Sequence, residues 1–349
     1  MECVLVTGAS GYVGLHCVAQ LLAQGYLVKG TVRSLNRAAE IRNSLSNASI
    51  CHKNLSLIKA DLTEDTGWTD AVENCDYVLH VASPFFIGEP KDPNHWINIA
   101  SAGTLRIMRA ASTAGVKKLV LTSSCGAITE NRGGLELFSE DDWTDPTLAR
   151  VSTYFKSKTI AERAAWQFAL SGDKHSKMAL TVINPSMIVG PSLSDDIGVS
   201  NGIIKRMIDG STPATIALHF GFVDVRDVAK AHVLALKNTR SNGERIIVSE
   251  REMWLKDVAK ILRDNGYNKA PKIELPNFLA KLFGVFNTEI RSTTKILGQR
   301  RITTANKAKN ILDWSPRDVR DSILESARQI TELEKPSTTT RSTLRTGAK

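Results

Sequence analysis

Thr7-Gly8-Ala9-Ser10-Gly11-Tyr12-Val13-Gly14 lies between a short apolar run, Cys3 to Val6, and an amphipathic run from Tyr12 to about Gln24. A strand, a glycine turn and a helix in this order are the context of a dinucleotide-binding loop. The first glycine permits a tight turn, the second admits a pyrophosphate close to the backbone, and the third lets helix and strand pack closely. The helix N-terminus offers unpaired N–H groups to phosphates. We therefore predict that the cofactor contacts Gly8, Ser10, Gly11, Tyr12, Val13 and Gly14.

The composition excludes several classes of protein. The 349 residues are 42% hydrophobic and 23% charged, as in globular proteins. No apolar run approaches the roughly 20 residues of a membrane span, and the first strand begins too early for a signal peptide to precede it. Five scattered cysteines without metal or redox spacing favour free thiols in a reducing compartment and no metal site. The net charge of +9 comes without a basic block interleaved with aromatic residues, so nucleic acid is a poor partner. We expect a cytoplasmic protein with no membrane contact.

Strand-like and helix-like segments alternate after the loop, which indicates a parallel sheet. Polar or small residues follow the strand ends, where an open parallel sheet binds its ligand. The predicted strands are 27–32, 55–60, 76–81, 118–122, 180–183, 222–225 and 244–249, and the predicted helices are 94–114, 152–170, 201–209 and 228–237. The fold class is α/β, a Rossmann-type doubly wound parallel sheet with a smaller, mostly helical C-terminal substrate lobe. We place the nucleotide-binding lobe at 1–185 with part of 222–250 interleaved, the substrate lobe at 186–333, and a disordered Ser/Thr-rich tail at 334–349.

The end of the second predicted strand indicates which nucleotide binds. An acidic residue there would bond a ribose 2′-hydroxyl, whereas a basic residue accommodates a 2′-phosphate. The chain has Arg33 at this position and no acid before Glu40. Arg37, four residues on, either shares the phosphate or lies on a solvated helix face. We therefore predict NADP(H).

Tyr154 and Lys158 are four residues apart near the start of a predicted helix, which places them on one face. Ser124 follows the strand at 118–122 and should face the same crevice. A phenol next to an ammonium has a lowered pKa and can protonate an alkoxide, and a serine hydroxyl can bond the carbonyl oxygen as charge develops there. We predict that Ser124, Tyr154 and Lys158 are catalytic, with Lys158 also holding the ribose. The alternative is a surface tyrosine and lysine on an amphipathic helix.

Taken together, these motifs resemble those of the extended short-chain dehydrogenases/reductases over about residues 3–330. The most similar subgroup holds dihydroflavonol reductase, cinnamoyl-CoA reductase and yeast-type aldehyde/methylglyoxal reductase. The resemblance rests on Thr7 to Gly14, Gly30 to Ser34, Asp61-Leu62, His80 to Pro84, Thr122 to Ser124, Tyr154 and Lys158, Asn184-Pro185, Gly190-Pro191, and Val223 to His232. It implies that Asp61 and Leu62 flank the adenine, that Val81, Ala82 and Ser83 line the cofactor, that Pro185 to Ile188 back the nicotinamide, and that Ser200 contacts a phosphate.

The same resemblance implies an NADPH-dependent carbonyl reductase acting on a small-molecule aldehyde or ketone, as a monomer or homodimer. Thr129 replaces the Asn or Asp usual in dihydroflavonol reductases, and the signature of cinnamoyl-CoA reductases is absent, so neither plant specificity is expected. The alternatives are a sugar-nucleotide epimerase or dehydratase, a hydroxysteroid-type dehydrogenase, and an NADP-sensing regulator without catalysis. We interpret Asn98 as an ordinary helix residue, Cys125 as a small buried residue, and His80 as a core histidine.

Overall fold

The computed structural model describes residues 1–84, 88–131, 136–171, 178–286 and 293–334. Its strands are β1 Cys3–Thr7, β2 Leu27–Val32, β3 Leu55–Lys59, β4 Tyr77–His80, β5 Lys118–Thr122, β6 Leu137–Phe138, β7 Ala179–Pro185, β8 Met187–Val189, β9 His219–Asp224, β10 Arg245–Val248, β11 Arg251–Trp254 and β12 Ile302–Thr303. Its helices are α1 Tyr12–Ala23, α2 Ala38–Asn47, α3 Trp68–Val72, α4 Pro93–Thr113, α5 Thr153–Leu170, α6 Val199–Ile208, α7 Val225–Lys237, α8 Leu255–Asp264, α9 Asn277–Phe286, α10 Asn306–Leu312 and α11 Val319–Leu333.

Seven strands form one parallel sheet in the order β10-β7-β5-β4-β1-β2-β3. β1 lies between β2 and β4, with Cys3 opposite Leu27 and Val4 opposite Tyr77. The strand order reverses direction at β1, which is the point where open α/β sheets bind ligands. The doubly wound parallel sheet predicted from the sequence is therefore confirmed.

Helices cover both faces of this sheet. On one face α1, α2, α7 and α10 pack with the sheet around a core that includes Leu15, Ile41 and Trp314. On the other face α3, α4 and α5 enclose a core that includes Trp68 and Met108. Burial on both sides explains why β1 and β5 read as continuous apolar runs rather than as alternating ones.

The long helices begin and end where the sequence provides signals. Asp92 caps α4 by accepting from the backbone N of His95, Pro93 occupies the first turn, and Gly115 follows the helix with φ +73°. Ser152 caps α5 in the same way by accepting from the backbone N of Phe155. These caps fix the register of α5 and therefore the direction in which its first turn faces.

The region after β7 contains a sheet that the sequence did not predict. β11, β9 and β8 form a three-stranded sheet that packs with α6, α8 and α11 around a third apolar core. β12 pairs with the short strand β6. The helices expected in this lobe are present, but strands of two to six residues leave too little periodic pattern to be recognised.

β10 and α7, although they follow β8, join the seven-stranded sheet and its covering layer. No helix within the described ranges combines the length and the apolar character that a bilayer crossing requires. The prediction of a disordered tail falls, apart from residue 334, outside the described residues.

Candidate active site

One cavity of about 900 Å³ opens along the carboxyl ends of the parallel strands. Every residue that the sequence predicted for the cofactor or for catalysis lies on its wall, which is what an open parallel sheet requires of a ligand site. These residues are Gly8, Ser10, Gly11, Tyr12, Val13, Gly14, Arg33, Arg37, Asp61, Leu62, Val81, Ala82, Ser83, Ser124, Tyr154, Lys158, Pro185, Ile188 and Ser200.

The glycine loop has the geometry that its spacing predicts. Gly8 has φ +68°, a conformation that side chains disfavour. A Cβ on Gly14 would lie 2.1 Å from the carbonyl oxygen of Gly8, so only glycine fits there. A Cβ on Gly11 would meet nothing nearer than 3.4 Å, so the space beside this residue is open. The loop thus leaves room against its backbone at Gly11, as a pyrophosphate requires.

Thr7 joins the loop to the neighbouring strand end. Its Oγ1 accepts hydrogen bonds from the backbone N of Val81 and of Ala82, each at 3.0 Å, and lies 2.9 Å from Nδ1 of His80. His80 is buried, and burial lowers its pKa to about 3. His80 is therefore the core histidine that we expected, and Thr7 holds the wall formed by Val81 and Ala82 in place.

Tyr12 lines the cavity, but its phenol is engaged elsewhere. The hydroxyl donates to the carbonyl of Gly190 at 2.7 Å and accepts from Nδ2 of Asn201 at 3.2 Å. Asn201 belongs to α6, as does Ser200 one residue before it. The tyrosine ring therefore fastens the glycine loop to the second lobe, which leaves its backbone as the part available to a cofactor.

Arg33 and Arg37 differ in how their charge is used. Arg33 is exposed on the cavity wall, and no described residue forms a hydrogen bond or ion pair with its guanidinium. Arg37 forms a forked ion pair with Glu40, at 2.6 and 2.9 Å, and also donates to Oγ of Ser10. Asp61, whose pKa is lowered by its hydrogen bond with the backbone of Thr63 and by Arg33, lies on the same wall. Arg33 is the guanidinium with donors available for a phosphate.

Ser124, Tyr154 and Lys158 meet at the ends of β5 and α5. Oγ of Ser124 accepts from the backbone N of Gly126 at 3.0 Å, and its hydroxyl forms a hydrogen bond with Tyr154. Nζ of Lys158 donates to the carbonyl of Thr122 at 3.2 Å. The alternative of a surface tyrosine and lysine is wrong, because Lys158 is buried and Tyr154 half-buried against the cavity.

Burial shifts the pKa of both titratable groups. It raises the pKa of Tyr154 to about 12, and the hydrogen bond with Ser124 opposes this rise. It lowers the pKa of Lys158 to about 8, and the charge of Glu162 opposes that fall. The sequence led us to expect a lowered tyrosine pKa, but desolvation outweighs the effect of the neighbouring groups. The phenol is therefore protonated at neutral pH.

Glu162 was not predicted and is one helical turn beyond Lys158. Its carboxylate accepts from Oγ of Ser123 at 2.5 Å, from Nδ2 of Asn184 at 2.9 Å and from Nε of Arg245 at 2.6 Å. The guanidinium of Arg245 lies 3.7 Å from the ring centroid of Trp143. Five separate parts of the chain therefore converge beneath the cavity, and no local pattern in the sequence could reveal that convergence.

The residues that we interpreted as structural are so placed. Asn98 is exposed on α4 and does not line the cavity. Cys125 is buried, and burial raises its pKa, so its thiol has no reactive character. Thr129 does line the cavity, but its hydroxyl donates to the carbonyl of Cys125 at 3.2 Å.

Comparison with known proteins agrees with this geometry. The model of the NAD dependent epimerase/dehydratase family matches residues 4–249. Cinnamoyl-CoA reductase CAD2 of Medicago truncatula is 36% identical, over 78% of this chain and 82% of its own. The structure of yeast methylglyoxal/isovaleraldehyde reductase Gre2 complexed with NADPH superposes with a TM-score of 0.78 at 26% identity, covering 95% of this chain and 99% of that one. The structure of Gre2 of Candida albicans in complex with NADPH superposes with a TM-score of 0.79 at 28% identity, covering 96% of this chain and 100% of that one.

Proposed function

This chain belongs to the NAD dependent epimerase/dehydratase family, and we propose that it is an NADPH-dependent reductase that converts an aldehyde or ketone to an alcohol. The chain is an oxidoreductase and its cofactor is NADP(H), as its reductase relatives and NADPH-bound structural neighbours indicate. The identity of Tyr154 as the proton donor is the central part of the proposal. We further propose that residues 186–333 form most of the substrate side.

The observation that carries this proposal is the convergence of three groups on one cavity. Ser124, Tyr154 and Lys158 line the cavity that also contains the glycine loop and Arg33. Tyr154 and Ser124 are joined by a hydrogen bond, so one carbonyl oxygen can lie within reach of both hydroxyls. A binding-only protein would have no need of a buried ammonium beside this pair.

The chemistry assigns a separate task to each side chain. Bound NADPH supplies the hydride that reduces the carbonyl carbon. Ser124 donates a hydrogen bond to the carbonyl oxygen where negative charge develops. Tyr154, which is protonated at neutral pH, gives its proton to that oxygen; because an alkoxide is a stronger base than a phenolate, the transfer is favourable.

Lys158 has two tasks that follow from its position. Its ammonium donates to the carbonyl of Thr122 and retains two further donors, which can bond the ribose of the cofactor. Its charge also stabilises the phenolate that Tyr154 becomes after it has lost its proton. Glu162, held by Arg245 and Ser123, favours the charged form of Lys158.

Arg33 explains the preference for the phosphorylated cofactor. Its exposed guanidinium lies on the cavity wall near Asp61 and can form charge-assisted hydrogen bonds with a 2′-phosphate. An epimerase that retains NAD would use an acid at this position. We therefore assign the adenosine end of the cofactor to this side of the cavity.

The direct test is oxidation of NADPH, followed at 340 nm, against a panel of aldehydes and ketones, with NADH measured in parallel. We expect turnover with at least one carbonyl class and a clear preference for NADPH. Conversion of a sugar nucleotide without net oxidation of added NADPH would instead identify an epimerase. Tight NADPH binding with no turnover of any carbonyl or alcohol would contradict the assignment of Tyr154.

A further inference from the structure

Part of the cavity wall belongs to residues without a role in the proposed chemistry. His219, at the start of β9, and Arg301, just before β12, both line the cavity. The turn after Ser124 brings them to the catalytic end, because Glu130, six residues beyond Ser124, pairs with Arg301 at 2.6 Å. Thr129, the residue before Glu130, lines the same cavity. His219 and Arg301 therefore face the region where a substrate must lie.

The ring of His219 has a defined tautomer. Its Nδ1 lies 2.8 Å from the carbonyl oxygen of Arg301, which can only accept, so this nitrogen carries the proton. The backbone N–H of Arg301 also points at Nδ1, at 3.2 Å, and we assign the proton to Nδ1 because the shorter contact is with the oxygen that can only accept. Burial lowers the pKa of His219, which keeps the ring neutral. Trp254, edge-on at 4.8 Å between centroids, fixes its orientation.

Nε2 of His219 is consequently a hydrogen-bond acceptor. No residue in the described part of the chain bonds to it, and it is not among the fully buried polar atoms that lack a partner. It is therefore in contact with the open cavity that His219 lines. An acceptor in such a position requires a donor from a ligand or from water.

Arg301 contributes donors beside this acceptor. Its side chain is only 8% exposed, and its Nη2 bonds Oε1 of Gln299 at 2.9 Å and pairs with Glu130. Within the described ranges, Nε and Nη1 of Arg301 form no hydrogen bond. Neither atom is among the fully buried polar atoms, so both are accessible from the cavity that Arg301 lines. Arg150 also approaches Glu130, and Glu252 accepts from Thr303. Two guanidinium groups thus face two carboxylates, and this wall carries no excess charge.

We propose that His219 and Arg301 bind a hydroxyl group of the substrate, so that the enzyme acts on hydroxylated aldehydes or ketones. The hydroxyl donates its proton to Nε2 of His219 and accepts an N–H from Arg301. A carboxylate cannot donate to His219, and a methyl group would leave both protein groups unpaired. This inference rests on the proposed carbonyl reduction and identifies the substrate class of the same site.

The test uses pairs of carbonyl substrates in which one member carries a hydroxyl and the other a methyl group at the same position. The pairs differ in the separation of this group from the carbonyl, and a third member of each set carries a carboxylate there. The readout is the ratio of kcat/KM for the hydroxyl member to that for the methyl member. We expect a ratio on the order of 10 to 100 for the best pair.

Two substitutions of His219 separate substrate binding from a structural role. In His219→Asn the amide can replace Nδ1 toward the carbonyl of Arg301 but does not reach the position of Nε2, so the ratio should fall toward 1. In His219→Gln the longer amide places an acceptor near the position of Nε2 and should restore much of the ratio. His52→Asn, a partly exposed histidine that does not line the cavity, is the matched control and should retain it.

The outcomes are distinct. Carbonyl reduction with equal efficiency for both members of every pair would overturn the hydroxyl site while leaving the proposed function intact. The same conclusion follows if the ratio survives in His219→Asn, or if the carboxylate member is the best substrate. If no carbonyl compound is reduced at all, the proposed function itself fails.

Discussion

At the scale of single residues, Tyr154 shows how burial prepares a side chain for one task. Desolvation raises its pKa to about 12, so the phenol is neutral and can donate a proton. Its hydrogen bond with Ser124 holds the phenolic oxygen beside the Ser124 hydroxyl. A substitution that removes only the phenolic oxygen therefore tests the role of Tyr154 with little change in packing.

We predict that Tyr154→Phe lowers kcat by about 10²–10⁴-fold, the usual effect of losing a positioned acid. The affinity for NADPH, measured by fluorescence titration, should change little because the ring and Lys158 remain. Tyr77→Phe is the matched control: this tyrosine is buried, bonds Glu2 and does not line the cavity. Carbonyl reduction near the wild-type rate in Tyr154→Phe would require a different proton donor.

The two arginines near the adenosine end give a second prediction. Arg33→Asp should raise the Kd for NADPH far more than the Kd for NADH, because it removes a donor and places like charge beside the phosphate. Arg37→Asp should have a smaller effect, since Arg37 is already paired with Glu40. Arg42→Asp makes the same charge change on an exposed part of α2 that does not line the cavity. Equal losses for both cofactors in Arg33→Asp would remove Arg33 from this role.

The sequence predicted those side chains whose position follows from a strand end or a helix spacing. Arg33 follows β2, Ser124 follows β5, and Tyr154 and Lys158 share one turn of α5, so each could be placed from its own neighbourhood. Glu162 with Arg245, and His219 with Arg301, could not be predicted in this way. Their contacts join residues 83 and 82 positions apart and exist only after the chain has folded.

At the scale of elements, the β1–α1 turn separates two reasons for glycine. At Gly14 a side chain would strike the backbone of Gly8, so the reason is the packing of the helix on the loop. At Gly11 the backbone has φ −82° and ψ 164°, which valine readily adopts, and no atom stands in the way of a Cβ. The reason for Gly11 is therefore the ligand and not the fold.

We predict opposite phenotypes for these two positions. Gly14→Ala should lower the free energy of unfolding by about 1–3 kcal/mol through overpacking, measured by urea denaturation. Gly11→Val should leave that free energy nearly unchanged and abolish the thermal stabilisation that NADPH gives. Gly202→Ala, in the open interior of α6, is the control and should be neutral or stabilising. If Gly11→Val still binds NADPH, the loop does not hold the pyrophosphate.

The strands of the large sheet could be located from sequence to within a residue or two at most ends, because each is an apolar run between turn signals. Both ends of β5 agree with the predicted strand at 118–122. β7 ends at Pro185, two residues beyond its predicted end. The three-stranded sheet of β8, β9 and β11 was largely missed, because only part of β9 had a recognisable pattern. Those strands are defined by their pairing, such as Met187 with Phe222, rather than by local preference.

At the scale of the whole molecule, the two lobes are joined by contacts at several points of the chain. Tyr12 of α1 bonds the carbonyl of Gly190. Arg317 pairs with Asp224 and Asp227 at the start of α7. The cavity runs along this junction, so a cofactor that fills it contacts both lobes and should stabilise them together.

The charge state of Lys158 depends on several elements of the fold, because groups from different layers lie near its ammonium. His80 of β4 and His232 of α7 are both neutral, since burial, together with the charge of Lys158, lowers their pKa values to about 3 and about 4. Thr122 of β5 offers a carbonyl, and Glu162 is the acid whose charge favours the ammonium. The pKa of about 8 is thus well below the ordinary value of 10.5 for a lysine.

This shift predicts a dependence of stability on pH with a definite sign. Between pH 10.5 and 8 the unfolded chain binds a proton at Lys158 that the folded chain does not, so the free energy of unfolding falls as pH is lowered. Below pH 8 both the folded and the unfolded chain hold the proton at Lys158, so the free-energy cost of burying the ammonium no longer changes with pH. Lys158→Met removes this penalty, so its stability relative to wild type should increase as pH falls from 10 to 8 and then level off. Urea denaturation of both proteins at each pH measures the difference, and a difference that is flat across this range would show that the ammonium is not desolvated in the folded protein.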